Sequence, residues 1–297
     1  MATLERGNFF PPKLVEGLIN QVKGTSSLAR LTQMRPIPFN GYKEFTFTMD
    51  SEIDVVAESG KKSAGSISLG QRTIVPLKVE YGARVSDEFM YASEEEQIDI
   101  LKAFNDGFSK KLAKGLDLMA FHGVNPRTGN ASEVIGANNF KDQVTQTVAY
   151  NEADPDASIQ DATDVIRVLG GVTTGIAMAP KMATDLGKME VNGVRLYPEF
   201  KWGNSPSNLH GLMIEVNPNV NHGDSTTLAL VGDFDGSFRW GYAKNIPMEI
   251  IEFGDPDNSG MDLKGYNQIY IRCEAYLGWG ILSPDNFVRI ESSETGV

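Results

Sequence analysis

A long polar reversal between two runs of β-forming residues constrains the fold of this chain more than any other feature. Before the reversal, Phe45, Phe47 and Met49 alternate with polar residues, and after it Ile67 and Leu69 continue the alternation. A period of two predicts two strands that share one apolar face. The reversal reads ESGKKSAGSISL, which is mostly small and polar and carries two lysines. It offers too little apolar surface to form a core of its own.

Residues 40–85 are therefore predicted to form an extended β-hairpin loop. A two-stranded ribbon by itself is only marginally stable in water. The loop is thus either mobile in the lone subunit or lies on another chain. Gly60 and Gly65 bracket the reversal, and we expect them to supply positive φ angles there.

The clearest helix is predicted over residues 93–122. Ser93 followed by Glu96 has the spacing of a capping box, and Gly123 is expected to end the helix in a left-handed conformation. The apolar row of this helix steps by three and four: Leu101, Phe104, Phe108, Leu112, Leu116 and Met119. At 1.5 Å per residue the helix is roughly 43 Å long, enough to form the spine of a domain.

The second half of the chain mixes helices and strands. A further helix is predicted to begin at Ser158, with Asp161 as its capping partner, and to bury Ile159, Ala162, Ile166 and Leu169. TGIAMAP predicts a buried strand that enters a helix with Pro180 in its first turn. Later strands are predicted at GLMIEV, TTLALVG, PMEIIEF and NQIYIRCEAYLGWGIL. The order of ribbon, long helix and mixed region indicates an α+β fold.

Composition and charge exclude several classes of protein. The 297 residues carry 27 Lys and Arg against 39 Asp and Glu, a formal net charge of −12, which is the wrong sign for a surface that neutralises nucleic-acid phosphates. Residues 1–43 are an exception, with six basic and two acidic residues. We interpret this as a solvated segment, or else as one that faces an acidic partner. No run of 18 apolar residues indicates a membrane span, and the first residues lack a secretory signal pattern.

The candidate motifs for catalysis or metal binding lack the residues or the spacing that those functions require. GKKS at 60–63 lacks the spacing of a phosphate-binding loop, because Val55 stands at the required glycine and Lys62 follows the first lysine. Cys273 is the only cysteine, which excludes an internal disulfide and a thiolate metal cage. The three histidines, His122, His210 and His222, lack ligand spacing. We therefore predict no enzyme, no cofactor and no metal, although a small α+β hydrolase stays a distant alternative.

One segment partly matches a calcium-binding loop. DPDNSGMD places Asp255, Asp257 and Ser259 at ligand positions and Gly260 at the sixth position. The twelfth position, which needs a bidentate glutamate, is Tyr266. We interpret the segment as a polar turn.

The order of these parts resembles that of a tailed-bacteriophage major capsid protein, the Hong Kong 97-type fold that is shared with encapsulins. Four stretches carry the resemblance: MAPKMATDL at 178–186, NLHGLMIEVNPNV at 208–220, LALVGDFDGSFRWGYAKNIPMEI at 228–250 and IYIRCEAYLGWGILSPDNFVRI at 269–290. The resemblance covers nearly the whole chain. It implies five parts: an N-terminal arm (1–39), an extended loop (40–85), a peripheral domain with the spine helix (86–135, helix 93–122), an axial domain (136–262), and peripheral-domain strands with a C-terminal tail (263–297).

The resemblance implies a structural protein of the virion that is assembled in the cytoplasm of the host bacterium. Copies of the chain would form the hexamers and pentamers of an icosahedral shell that encloses double-stranded DNA without sequence-specific binding, with no membrane involved. Seven residues are the expected contacts between subunits: Phe9, Phe10, Val56, Lys61, Lys62, Ile67 and Leu69. A portal protein is an expected partner. Because the chain begins at the arm, its scaffolding protein would be a separate chain, or none would be needed.

Two alternatives accompany this interpretation. The first is an encapsulin-type compartment, which has the same fold but encloses an enzyme cargo. The second concerns covalent crosslinks, because some members of the family join Lys to Asn beside a glutamate. Lys61 or Lys62 and Asn286 are the candidates here, but no acidic motif identifies the third partner, so we do not expect crosslinks.

Overall fold

The computed structural model describes residues 26–49, 51–91, 94–223, 225–244 and 248–293. Its α-helices are α1 Ser27–Leu31, α2 Glu94–His122, α3 Phe140–Gln143, α4 Pro155–Val168, α5 Pro180–Lys188 and α6 Phe234–Ser237. Its strands are β1 Tyr42–Met49, β2 Ile67–Ile74, β3 Leu77–Ser86, β4 Thr147–Ala149, β5 Gly175–Met178, β6 Glu190–Val191, β7 Val194–Arg195, β8 Asn208–Leu209, β9 Leu212–Val216, β10 Thr227–Gly232, β11 Phe238–Lys244, β12 Met248–Ile251, β13 Gln268–Ile281 and β14 Phe287–Glu291. Short 3₁₀ helices cover Asp87–Tyr91, Pro198–Gly203, Pro218–Val220, Lys264–Tyr266 and Pro284–Asn286.

The larger sheet has six strands in the order β4-β14-β10-β5-β9-β8. It is mixed: β10 runs antiparallel to β14 and β5, whereas β5 and β9 are parallel. Every residue of β5 and β10 is buried. These strands carry continuous apolar runs because helices cover both faces of a sheet at its centre. The predicted strand and helix at TGIAMAP are confirmed as β5 and α5, with Pro180 as the first helical residue.

The second sheet is built around β13, the longest strand. One edge of β13 pairs with β3, and the other edge pairs with β11 and then with β12, all antiparallel. This sheet takes β11 and β12 from the predicted axial segment, and the six-stranded sheet takes β14 from the predicted C-terminal segment. The sheets therefore cross the predicted boundary at residue 262, and the division into axial and peripheral domains stays a prediction.

The long helix α2 is confirmed, and it joins the two sheets. Gly123 follows it with φ +68, the expected left-handed stop, while the expected cap Ser93 lies outside the described residues. Of its predicted apolar row, all but the partly buried Phe104 are buried. Four of these residues share a core with side chains from both sheets, among them Leu230 of β10 and Trp279 of β13. The spine helix thus packs against both sheets of the subunit.

The helix predicted at Ser158 begins earlier. It starts at Pro155, and the Asp154 side chain caps it by accepting a hydrogen bond from the Ala157 amide. Proline favours the first helical position because its φ is already helical and its missing N–H is not needed there. Ser158 instead accepts from the Asn151 amide at 2.9 Å. Leu169 was predicted to be buried, which is wrong: it follows the last turn of α4 and is exposed.

Replacing Phe108 with Asp should prevent folding. The ring is buried in the core that the helix shares with both sheets, so an ionised carboxylate there would cost about 4 kcal/mol or more. Thermal unfolding and solubility of the purified variant measure the effect. Ala103→Asp, at an exposed position of the same helix, should unfold within a few degrees of the parent. Equal unfolding temperatures for the two variants would contradict the assignment of the buried row.

Candidate functional site

Strands β1 and β2 form a separate two-stranded ribbon. Their pairing is antiparallel and continuous from Tyr42 opposite Ile74 to Met49 opposite Ile67. Because directly paired residues share a face, Phe45, Met49, Ile67 and Leu69 lie on the same side. We call these four residues the ribbon face. The predicted apolar face is confirmed.

The ribbon face is open to solvent. Its four side chains are between 58% and 71% exposed, and nothing in the described part of the chain covers them. A contiguous exposed apolar surface of this kind marks a site of interaction. The arrangement cannot perform chemistry, but it can bind another apolar surface.

The ribbon is held to the subunit at its base by Ile74. This is the only buried residue of β2, at 1% exposure, and it packs with Ile37 and Leu282 in a small cluster. A Cβ atom on Gly280 would lie 2.6 Å from Ile74 Cγ1. The glycine in LGWGIL therefore makes room for the isoleucine, and the rest of the ribbon extends beyond this contact.

The tip of the ribbon, residues 51–66, has no regular secondary structure. A turn closes where the Gly60 amide donates to Ala57 O at 2.8 Å. The positive φ of this turn, +68, belongs to Ser59, so the prediction that Gly60 and Gly65 supply it was wrong. The turn places its left-handed residue one position before Gly60, and Ser can adopt that conformation at a modest cost.

The predicted contact residues fall into two groups. Ile67 and Leu69 belong to the ribbon face, and Val56, Lys61 and Lys62 are exposed on the tip. Phe9 and Phe10 lie outside the described residues. The crosslink candidate Asn286 has its side-chain amide occupied, because it donates to Ser237 Oγ at 2.8 Å.

The segment that resembles a calcium loop surrounds the guanidinium of Arg84. Arg84 donates to Asp255 Oδ1 at 2.7 Å, to Asp257 Oδ1 at 2.5 Å, to Ser259 Oγ at 2.6 Å and to Met261 O at 2.8 Å. The hydrogen bond from Arg84 holds the pKa of Asp257 well below its usual range. The polar-turn interpretation is confirmed. Sequence reasoning missed Arg84 because it lies in β3, 171 positions before Asp255.

Sequence reasoning also missed Asp117, which lies toward the C-terminal end of the spine helix. Its carboxylate is fully buried and accepts from Ser26 Oγ at 2.6 Å, from the amides of Ser27 and Leu28 at 3.0 and 3.3 Å, and from the side chains of Asn219 and Asn217 at 3.1 and 3.3 Å. Burial raises its pKa. The signal was its spacing from Ala113 and Ala120, which puts an acid on a buried helical face. Asp117 thus ties residues 26–28, which belong to the predicted arm (1–39), to the spine.

Cys273 and His122 are two further candidates for chemistry in the sequence. Burial raises the pKa of the Cys273 thiol to about 12, which leaves it without thiolate character. His122 Nε2 donates to Asn219 O at 2.9 Å, and burial lowers its pKa. Within the described residues, no three His, Cys, Asp or Glu side chains are grouped to hold a metal ion. No helix in the same ranges has the length and apolar character that a membrane crossing requires.

We expect no calcium binding at residues 255–262, because the Arg84 guanidinium already satisfies the oxygens that a cation would need. Isothermal titration with calcium should give no binding heat in the micromolar range. A micromolar signal that disappears in Asp257→Ala would contradict the assignment.

Replacing Ile74 with Ala should loosen the base of the ribbon. Loss of this buried side chain should lower the free energy of unfolding by about 2–4 kcal/mol. Leu69→Ala is the matched control, since Leu69 lies on the same strand but is exposed, and it should change stability by less than about 0.5 kcal/mol. Chemical denaturation of the unassembled subunit measures both. Equal effects would show that the base is not anchored by Ile74.

Comparison with known proteins gives a consistent result. The model of the phage capsid family matches residues 6–292. A solved structure from Mycobacterium phage Ogopogo is 32% identical, with 91% of this chain and 92% of that chain covered and a TM-score of 0.78. A structure from Gordonia phage Cozz is 22% identical over 91% and 87% of the two chains, with a TM-score of 0.75. No curated protein sequence matches the chain.

The fold also recurs in a further capsid structure. A chain from a structure titled as the capsid of a native GTA particle is 14% identical over 90% of each chain, with a TM-score of 0.63. At that identity the likeness concerns the fold alone. The family match supports the phage-head interpretation, and the encapsulin alternative is not favoured. The chain belongs to the phage capsid family and is a shell protein of the phage head.

Proposed function

We propose that copies of this subunit assemble as hexamers and pentamers into a closed icosahedral shell around double-stranded DNA. The observation that carries the proposal is the ribbon face, which no described residue of the same subunit covers. A neighbouring copy covers it in the shell. The tip residues Val56, Lys61 and Lys62 lie on that neighbour, and Phe9 and Phe10 of the arm make further contacts.

Burial of the ribbon face against a second copy of the subunit is energetically favourable. Burying each large apolar side chain is worth roughly 1.5–3 kcal/mol, and the ribbon face presents four of them. Each subunit presents one ribbon face and covers the ribbon face of one neighbour. The shell therefore contains one such contact per subunit. Closed symmetry then ends the association, whereas an open arrangement of the same contact would produce fibres. An exposed ribbon edge carries that hazard as well.

The charge of the subunit suits an enclosing role. With a net charge of −12, the wall of the shell does not bind DNA tightly by neutralising its phosphates, so the DNA is held by enclosure without sequence-specific contacts. The shell is assembled in the cytoplasm of the host bacterium, with a portal protein and a scaffolding protein as partners. The subunit has no catalytic role.

The two sheets correspond to two parts of the shell subunit. We assign the six-stranded sheet with α4 and α5 to the axial domain and the β13 sheet with the spine helix to the peripheral domain. The ribbon leaves from the side of the β13 sheet, because its base packs on Gly280 of β13. A contact made by the ribbon therefore joins the peripheral part of one subunit to its neighbour.

Replacing both Ile67 and Leu69 with Asp should abolish shells without unfolding the subunit. The two carboxylates would be solvated in the lone subunit, where both positions are exposed, but would be buried unpaired in the contact. Negative-stain microscopy counts particles, and thermal unfolding of the unassembled protein reports on folding. Arg72→Ser, at an exposed position on the opposite face of the same strand, should still form shells. Normal particles from the double variant would contradict the proposed contact.

A further inference from the structure

The spine helix carries a row of lysines on its solvent side. Lys110, Lys111 and Lys114 are all exposed. Lys114 follows Lys110 by four residues and Lys111 by three, so the three side chains share one face. Gly107 has open space where a Cβ atom would lie, and Asp106, at the edge of this face, is half-buried. The described subunit therefore leaves this part of the helix uncovered.

Lys141 extends the lysine row past the end of the helix. Phe121 lies seven residues after Lys114, which is two turns along the same face, and the Phe140 ring of α3 packs against it with ring centroids 5.9 Å apart. Lys141 follows Phe140 and is exposed. Burial chiefly lowers the pKa of His122, and the nearby charge of Lys141 adds to this effect. We give the name basic face to four residues: Lys110, Lys111, Lys114 and Lys141.

The basic face is not neutralised within the described subunit. None of its four ammonium groups forms an ion pair with a described residue. Residues 107–143 carry five basic and three acidic side chains, a formal charge of +2, whereas the rest of the chain carries −14 of the total of −12. Of the three acids, Asp117 is buried, Asp142 accepts from Asn139 Nδ2 at 2.8 Å, and Glu133 is exposed.

Two ordinary roles of helical lysines do not account for the row. Cations stabilise a helix at its C-terminus, but that effect is confined to the last turn, and Lys114 lies more than two turns before His122. Opposite charges four residues apart also stabilise a helix, but Lys110 and Lys114 are like charges at that spacing, which is destabilising. The stability of the helix therefore does not explain why these lysines are present.

The chemistry of the basic face favours a polyanion over a protein surface. Among the described residues between Ile100 and Val134, no large apolar side chain is exposed, whereas the centre of a protein–protein interface is apolar. Phosphate groups require only cations, and lysine supplies a mobile point charge. From Lys110 to the end of the helix is about 18 Å, over which one strand of a DNA duplex presents about five phosphates.

We propose that the basic face lies on the inner surface of the shell and binds the phosphate backbone of the enclosed double-stranded DNA. This rests on the proposed shell function, which supplies the DNA. The contact is independent of sequence, because phosphates carry no base information. The negative charge of the rest of the subunit keeps the contact weak, so enclosure remains the main restraint on the DNA.

Replacing Lys110 and Lys114 together with Gln should weaken DNA binding by the unassembled subunit. Fluorescence anisotropy of a labelled duplex of arbitrary sequence, at low salt, measures the affinity. The double variant should bind at least about tenfold more weakly, and the slope of log K against log salt should fall by about 2. Lys61→Gln with Lys62→Gln is the matched control, since it removes the same charge from the exposed tip, and it should bind like the parent.

Crosslinking in DNA-filled particles tests the position of the basic face. Formaldehyde joins lysine amines to DNA that lies in contact with them, so peptides with Lys110 and Lys114 should be recovered with the DNA, and peptides with Lys61 and Lys62 should not. Carbodiimide joins lysines to carboxylates in direct contact. A carbodiimide product between Lys110 or Lys114 and an acid of a second copy would show that a protein surface occupies the face, which would overturn the proposal.

The remaining outcomes separate this proposal from the shell function. Parent shells that contain DNA, together with unchanged DNA binding in the Lys110 and Lys114 variant or no DNA crosslink at these lysines, would overturn the basic face alone. Equal loss of binding in the tip control would attribute the effect to net charge and would also overturn it. Parent protein that forms no DNA-containing shells would overturn the proposed function together with the basic face.

Discussion

The packing of one face of the spine helix against both sheets is the interaction on which the rest of the subunit depends. Leu112, Leu116 and Met119 meet side chains from the six-stranded sheet and from the β13 sheet in a single core. Two sheets that share few strand contacts are thereby fixed to one rod. Asp117 adds a polar tie on the same helix, because it draws α1 and the loop after β9 onto the rod. Everything that protrudes, including the ribbon, is positioned relative to this core.

Periodicity in the sequence was sufficient for the elements that bury one face. The step of three and four gave α2 to within a residue, and the alternation of Phe45 with Met49 gave the ribbon face. Family resemblance added the order of the parts. Contacts between residues that are far apart in the sequence produce no periodic pattern. Arg84 could not be paired with Asp255 in advance, and the fit of Ile74 over Gly280 depends on where two strands cross. The exchange of strands across residue 262 could not be read from the sequence for the same reason, because strand pairing is a property of the tertiary fold.

Folding and assembly use different residues in this subunit. The core side chains are buried and their polar neighbours are paired, as at Asp117 and in the Arg84 loop. The ribbon face is apolar yet exposed, and it contributes little to the stability of the lone chain. The residues that stabilise one subunit are therefore distinct from the residues that it leaves available for contact with other copies.

The geometry of the ribbon then bears on how a closed shell forms. The ribbon reaches outward from the β13 sheet, because its base is Ile74 packed over Gly280 of β13. Contacts made at two separated places fix the angle between neighbouring subunits better than either contact alone, because one contact leaves a rotation about itself. A single flexible ribbon could hold copies together without setting their curvature. Closure of a ring of subunits therefore requires a further contact between neighbours besides the ribbon.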